Sequence, residues 1–98
     1  MEKIVKEILK LGKKCNDNKI KEILAYTVIN IAQVVYNTRI RIIQGTGGDN
    51  NWMEWDNDIP LTILKEIADL YAEANGGAWV YNEKTNTIDF NFSTYSTI

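Results

Sequence analysis

The chain has 98 residues, the length of one small domain, and is 45% hydrophobic and 24% charged, which is typical of a soluble globular protein. No apolar run reaches the roughly 18–20 residues that a membrane-spanning helix needs, and the charged N-terminus is unlike a secretory signal. The single cysteine, Cys15, excludes an internal disulfide. Together these features predict one cytoplasmic domain over residues 1–98, with no membrane partner.

The charge is unevenly divided along the chain. The formal net charge is −2, but residues 1–41 carry nine Lys/Arg and four Asp/Glu, whereas residues 42–98 carry two Lys and nine Asp/Glu. Such asymmetry is typical of a protein that meets an oppositely charged partner, although both sets of charges can also simply solvate exposed faces.

Two helices are predicted in the first third of the chain. Residues 2–15 repeat apolar side chains at helical spacing, and residues 16–18 (Asn-Asp-Asn) supply the chemistry of a turn and a helix N-cap. The core stripe predicted for the second helix is Ile20, Ile23, Leu24, Thr27, Val28, Ile31 and Val35. From Tyr26 onward this helix is apolar on most sides, so we expect it to be central or to form a homo-oligomer interface, at least a dimer.

The rest of the chain predicts strands around one more helix. Ile40 and Ile42 alternate with arginines, as in a half-buried strand. After a loop at 45–60, a helix is expected beyond Pro60, capped by Asp58, with the stripe Ile63, Leu64, Ile67, Leu70, Tyr71 and Ala74. Gly76 should end it, and a hairpin should join strands 78–82 and 87–92 through Asn86. Residues 93–98 should form a loose tail.

The predicted fold class is therefore α+β, in the order α-α-β-α-β-β. The expected sheet is small, three-stranded and mainly antiparallel, with the helices packed on one face. The segment around Ile40 is expected to join the hairpin, because two strands alone are only marginally stable.

The residue inventory speaks against catalysis. There is no histidine, which removes the commonest general base and metal ligand. Lys13 and Lys14 stand beside Cys15, but a cysteine hydrolase would lack its usual base, and the two serines lie in the predicted tail. The sequence thus predicts a protein that is not an enzyme and has no cofactor and no bound metal.

Residues 45–60 (GTGGDNNWMEWDNDIP) partly match the motifs of two kinds of ligand site. A phosphate loop requires a Lys-Ser/Thr pair after its last glycine, where this chain has Asp49 and Asn50. A calcium loop is suggested by the spacing of Asp56 and Asp58, but Pro60 and Leu61 occupy positions that such a loop reserves for a ligand and a glycine. A flexible connection explains the glycines as well.

The tryptophans of the same segment predict a binding patch. On a helical turn, Trp52 and Trp55 would lie on similar faces, among nearby carboxylates. Aromatic anchors with an acidic rim favour a protein partner with a basic surface. The predicted contact residues are Trp52, Glu54, Trp55, Asp56 and Asp58. Both tryptophans could instead cover the core. Small acidic proteins of this kind include accessory and inhibitory factors, some encoded by phages or mobile elements.

Two other functions remain as alternatives. A small polar ligand or nucleotide could be held at a subunit interface by the glycine-rich loop and aromatic side chains, namely Gly45, Thr46, Gly47, Gly48, Asp49, Trp79 and Tyr81. A nucleic acid could instead contact the basic N-terminal half through Lys3, Lys6, Lys10, Lys13, Lys14, Arg39 and Arg41.

Overall fold

The fold is α+β, with three helices and a four-stranded antiparallel sheet in the order β1-β2-β4-β3. The computed structural model describes residues 2–45, 50–56 and 59–92. The elements are α1 (Glu2–Lys14), α2 (Asn18–Val35), β1 (Ile40–Gln44), β2 (Asn51–Trp55), α3 (Leu61–Ala74), β3 (Ala78–Asn82) and β4 (Thr87–Asn91). The predicted tail 93–98 lies outside the described residues.

The prediction of three strands was wrong, because residues 51–55 form a fourth. This strand, β2, pairs antiparallel with β1 on one side and with β4 on the other, so it separates β1 from the predicted hairpin. The segment Asn-Trp-Met-Glu-Trp does not alternate apolar and polar residues, so it lacks the usual sequence pattern of a half-buried strand. Its glycine-rich and acidic surroundings favoured a loop in the sequence, and the hydrogen-bonding edges of β1 and β4 override that local preference.

The helical hairpin of α1 and α2 begins and ends much as predicted. The Asp17 side chain caps α2, since its Oδ1 accepts hydrogen bonds from the backbone N–H groups of Lys19 (2.9 Å) and Ile20 (3.2 Å). At the other end, the Tyr36 hydroxyl donates to Oε2 of Glu2 over 3.1 Å, which joins the end of α2 to the start of α1.

The core stripe of α2 differs from the predicted one. Its buried residues are Lys21, Ala25, Val28, Ile29 and Ala32. Of the predicted stripe only Val28 is fully buried, while Leu24, Ile31 and Val35 are half-buried and pack against the core. Ile20 and Ile23, both predicted to be buried, are exposed. The spacing could not select a face because α2 is apolar nearly all around. The helix turns its small residues inward, where alanines allow close contact with α3.

The helix α3 and the second hairpin agree with the sequence. Five of the six residues in the predicted stripe are buried, and Gly76 adopts φ 70°, the left-handed conformation expected at a helix end. In the β3–β4 turn Asn86 has φ 56°, also as predicted. Pro60 lies at the N-cap without a side-chain capping bond, while Asp58 falls outside the described residues.

The sheet has one buried and one open face. Ile40, Met53, Ile88 and Phe90 lie on the buried face, where register places Met53 beside Ile88. Both α2 and α3 contact strands of the sheet, and α1 packs on these two helices. Tyr71 of α3 joins the layers by packing against Phe90 and Phe92, with ring centroids 4.9 and 6.0 Å apart. Within the described ranges, no helix has the length and hydrophobicity needed to cross a bilayer.

Candidate interaction surface

The solvent side of the sheet carries a continuous row of side chains, one from each strand. Antiparallel register places Ile43 beside Trp52, Trp52 beside Asp89, and Asp89 beside Val80. Directly opposite residues share a face of the sheet. None of the ten strand residues on this side is buried, and Val80 is 62% exposed. We call this side the open sheet face: Arg41, Ile43, Trp52, Glu54, Ala78, Val80, Asn82, Thr87, Asp89 and Asn91.

The polar groups of the open sheet face are hydrogen-bonded to each other. The Trp52 indole N–H donates to Oε2 of Glu54 over 3.0 Å, and Arg41 forms an ion pair with Oε1 of the same carboxylate.

The second carboxylate of this face is held in the same way. Asp89 accepts hydrogen bonds from the Thr87 hydroxyl (2.8 Å) and the Asn82 amide (3.3 Å). The carboxylates of Asp89 and Glu54 are therefore held in place, and each keeps further lone pairs for an external donor.

The prediction that Trp52 and Trp55 share a face was wrong. Both lie on β2, and residues three apart on a strand point to opposite sides of the sheet. Trp55 is half-buried on the helix side, packs against the core, and stacks on Tyr81 with centroids 6.4 Å apart and an angle of 26° between the rings. The acidic residue Asp56 follows the strand and is exposed, while Asp58 lies outside the described residues.

The residues predicted for a small ligand are also divided. Trp79 lies on the helix side of β3, where its indole N–H donates to Oδ1 of Asp69 over 2.6 Å, and Tyr81 donates to Oδ1 of Asn86 over 2.8 Å. Trp52 is on the other side of the sheet, so these aromatic rings do not converge on one ligand. Gly45 donates to the Asn50 carbonyl over 2.7 Å. Thr46, Gly47, Gly48 and Asp49 lie outside the described residues.

A polar cleft of about 230 Å³ is lined by residues that were predicted for two different sites, the partner-binding patch and the basic face. It lies where β1 begins, β2 ends and the β3–β4 turn passes, and it is lined by Arg39, Arg41, Glu54, Trp55, Asp56 and residues 85–87. Within the described part of the chain, Arg39 and Asp56 form no ion pair. The cleft therefore offers both a cation and an anion.

The predicted basic residues do not form one surface. The lysines of α1 are exposed on the helix layer, where Lys13 pairs with Glu66 of α3 at 3.5 Å. Arg41 lies on the opposite side of the molecule, on the open sheet face, and is paired with Glu54. A nucleic acid bound to α1 would not reach it.

Within the part of the chain that the structure describes, the side chains with catalytic or metal-binding chemistry form no cluster of metal ligands. Cys15 is half-buried, and its thiol donates to the Asp17 carbonyl over 3.5 Å. Among residues 2–45, 50–56 and 59–92, no three His, Cys, Asp or Glu side chains lie close enough to hold a metal ion.

Three of the four residues in the row that crosses the open sheet face were not part of the binding patch predicted from the sequence. Ile43, Val80 and Asp89 belong to three different strands, and only pairing across the sheet places them beside Trp52. The available signal was the alternation of β4, which separates Asp89 from the buried Ile88 and Phe90. No protein-family model, no curated protein and no solved structure matches this chain.

Proposed function

We propose that this protein is a non-catalytic binding protein, an accessory or inhibitory factor, that holds a protein partner on its open sheet face. The observation that carries the proposal is the row Ile43–Trp52–Asp89–Val80, which crosses all four strands without a buried member. An aromatic and aliphatic centre with a polar rim is the usual anatomy of a protein interface.

The partner we expect has a basic surface. Arg41, Glu54 and Asp89 are the charged side chains of the open sheet face, so its formal charge is negative. The existing hydrogen bonds orient both carboxylates in advance, which lowers the entropic cost of docking. Lysine or arginine on a partner can use the remaining lone pairs.

The test is a comparison of bait variants in affinity purification. Trp52→Ala removes the central ring, and Leu11→Ala removes an exposed apolar side chain of α1 as the matched control. We expect a protein that the wild type and Leu11→Ala retain and Trp52→Ala loses at least tenfold. A folded Trp52→Ala variant that retains every partner of the wild type would contradict the proposal.

A small polar ligand in the polar cleft is the second candidate. It is supported by the cleft of about 230 Å³, with Arg39 and Asp56 at its wall. A ligand with both charges would match this lining. A thermal-shift screen with nucleotides and amino acids tests it, with Arg39→Ala as the control that should abolish any shift. No shift with any compound would count against this candidate.

Only the exposed lysines of α1 still support the hypothesis of nucleic-acid binding. These lysines would contact phosphates without base readout, so the affinity should fall steeply with salt. A titration of single- and double-stranded oligonucleotides at 50 and 200 mM salt measures this, and a flat response would remove the hypothesis.

A further inference from the structure

Most of the large apolar side chains that are exposed in the described ranges lie on two helices, α1 and α2. Six of the seven large hydrophobic side chains that are exposed in these ranges belong to α1 or α2, and the seventh is Val80 on the sheet. Leu11 is 60% exposed, Ile23 63% and Val34 73%. Apolar side chains concentrated in this way mark an interaction site more often than a solvated surface. We call the exposed apolar set of α2 the helix-layer patch: Ile20, Ile23, Tyr26 and Val34.

The spacing along α2 is symmetric about Thr27. One side of α2 carries the exposed Ile20, Ile23 and Val34 and the half-buried Thr27 and Ile31, of which Ile31 also packs against the core. If a second α2 packs against the first in the opposite direction, Ile20 meets Val34 and Ile23 meets Ile31 on both sides of the two-fold axis. A two-fold interface requires this kind of self-complementarity. The short side chain of Thr27 allows the backbones to approach at the centre.

The charge pattern fits a second copy of the same helix. Residues 23–38 contain no Asp, Glu, Lys or Arg, and the charged residues Lys19 and Glu22 stand at the N-terminal end of α2. An antiparallel arrangement places these charges against the uncharged C-terminal end of the partner helix, so the two α2 helices oppose no like charges of their own. The helix dipoles are also antiparallel.

We propose that a second copy of this chain covers the helix-layer patch, with the two α2 helices antiparallel about Thr27. The interface does not depend on the proposed function, because the patch lies on the helix layer and the open sheet face lies on the other side of the core. Dimerisation would therefore leave two open sheet faces available.

The first experiment measures the mass in solution by light scattering at micromolar concentration. We expect twice the chain mass of 11.2 kDa for the wild type and one chain mass for the double variant Ile23→Glu/Val34→Glu. Val80→Glu, an equally exposed position on the sheet, is the matched control and should remain dimeric. A monomeric wild type, or a double variant that remains dimeric, would overturn the proposal.

A second experiment tests the register and does not depend on disruption of the interface. In a Cys15→Ser background, Thr27→Cys should form an intermolecular disulfide on oxidation, because the two sites meet at the axis. Asn30→Cys should not, since three residues from the axis the paired positions are about 9 Å apart along the helix, beyond disulfide reach. Equal cross-linking of both variants would overturn the antiparallel register.

If circular dichroism shows that Ile23→Glu/Val34→Glu is unfolded, the variant Ile23→Ser/Val34→Ser takes its place in the light-scattering experiment.

Discussion

The Nζ atom of Lys21 lies 2.8 Å from Oε1 of Glu73, which links α2 to α3 through a lysine that is only 7% exposed. The same ammonium donates to the carbonyl oxygen of Gly12 on α1 over 3.1 Å. One side chain therefore joins all three helices at the end of the layer. A buried charge is tolerated when its donors are satisfied, and Lys21 obtains an acceptor from each neighbouring helix.

Replacement of Lys21 by alanine should destabilise the fold by about 3 kcal/mol, because the variant loses the packing of the aliphatic chain and leaves the Gly12 carbonyl without this donor. Glu73→Ala should cost less, about 1 kcal/mol, since the Glu73 side chain is 58% exposed and water can replace it. Urea unfolding measures both values. A larger loss for Glu73→Ala would contradict this ranking.

Gly12 permits α1 to approach α3. A Cβ atom at this position would lie 2.6 Å from Cδ1 and 2.7 Å from Cδ2 of Leu70, which is itself buried. We expect Gly12→Ala to destabilise the protein by about 1–2 kcal/mol, because the cost of overpacking exceeds the gain in helix propensity. In the double variant Gly12→Ala/Leu70→Ala the clash is relieved. We still expect this variant to be less stable than Gly12→Ala alone, because the cavity left by Leu70 costs more stability than relief of the clash restores. Thermal unfolding of a Gly12→Ala variant at or above the wild-type midpoint would contradict the expected clash.

Tyr71 makes the fold sensitive to high pH. Burial raises the pKa of the Tyr71 hydroxyl well above its ordinary value, with a smaller contribution from a hydrogen bond with Tyr26. The folded state therefore binds this proton more tightly than the unfolded state. The resulting stabilisation is complete below the unfolded pKa of 10.0 and is lost as the pH rises above it, by up to about 1.4 kcal/mol per pH unit.

The variant Tyr71→Phe isolates this contribution. Between pH 9 and pH 11 its free energy of unfolding should decrease less than that of the wild type, because the two proteins differ only in the Tyr71 hydroxyl. Urea denaturation at each pH supplies the comparison. Parallel stability curves for the two proteins would show that Tyr71 does not titrate differently on folding.

The two tryptophans of β2 should respond differently to substitution. Trp55→Ala removes a ring that packs against the core and Tyr81, so we expect a loss of about 2 kcal/mol. Trp52→Ala removes a ring from the open sheet face, and we expect a loss of about 1 kcal/mol. Iodide quenching of single-Trp proteins provides an independent measure, with Trp52 more accessible than Trp55. Equal quenching of both would contradict the assignment of opposite faces.

The sequence by itself determined the elements whose residue pattern is compatible with only one secondary structure and one buried face. The apolar stripe of α3 is bounded by Pro60 and Gly76, so its location and its buried face follow from helical periodicity. The same is true of Ile88, Phe90 and Phe92, whose period-2 alternation selects the inner face of the second hairpin. Asp17 and Asn86 also act as their residue types predict.

Only the tertiary structure decided the remaining features. In α2 apolar side chains surround the helix, so local spacing did not distinguish the buried stripe from the helix-layer patch; close packing against α3 selected Ala25 and Ala32 for the inside. The segment of Trp52 and Trp55 became a strand because β1 and β4 each offered an unpaired edge. That pairing separated the two tryptophans and aligned Trp52 with Ile43, Asp89 and Val80, a row that depends on contacts between residues distant in the chain.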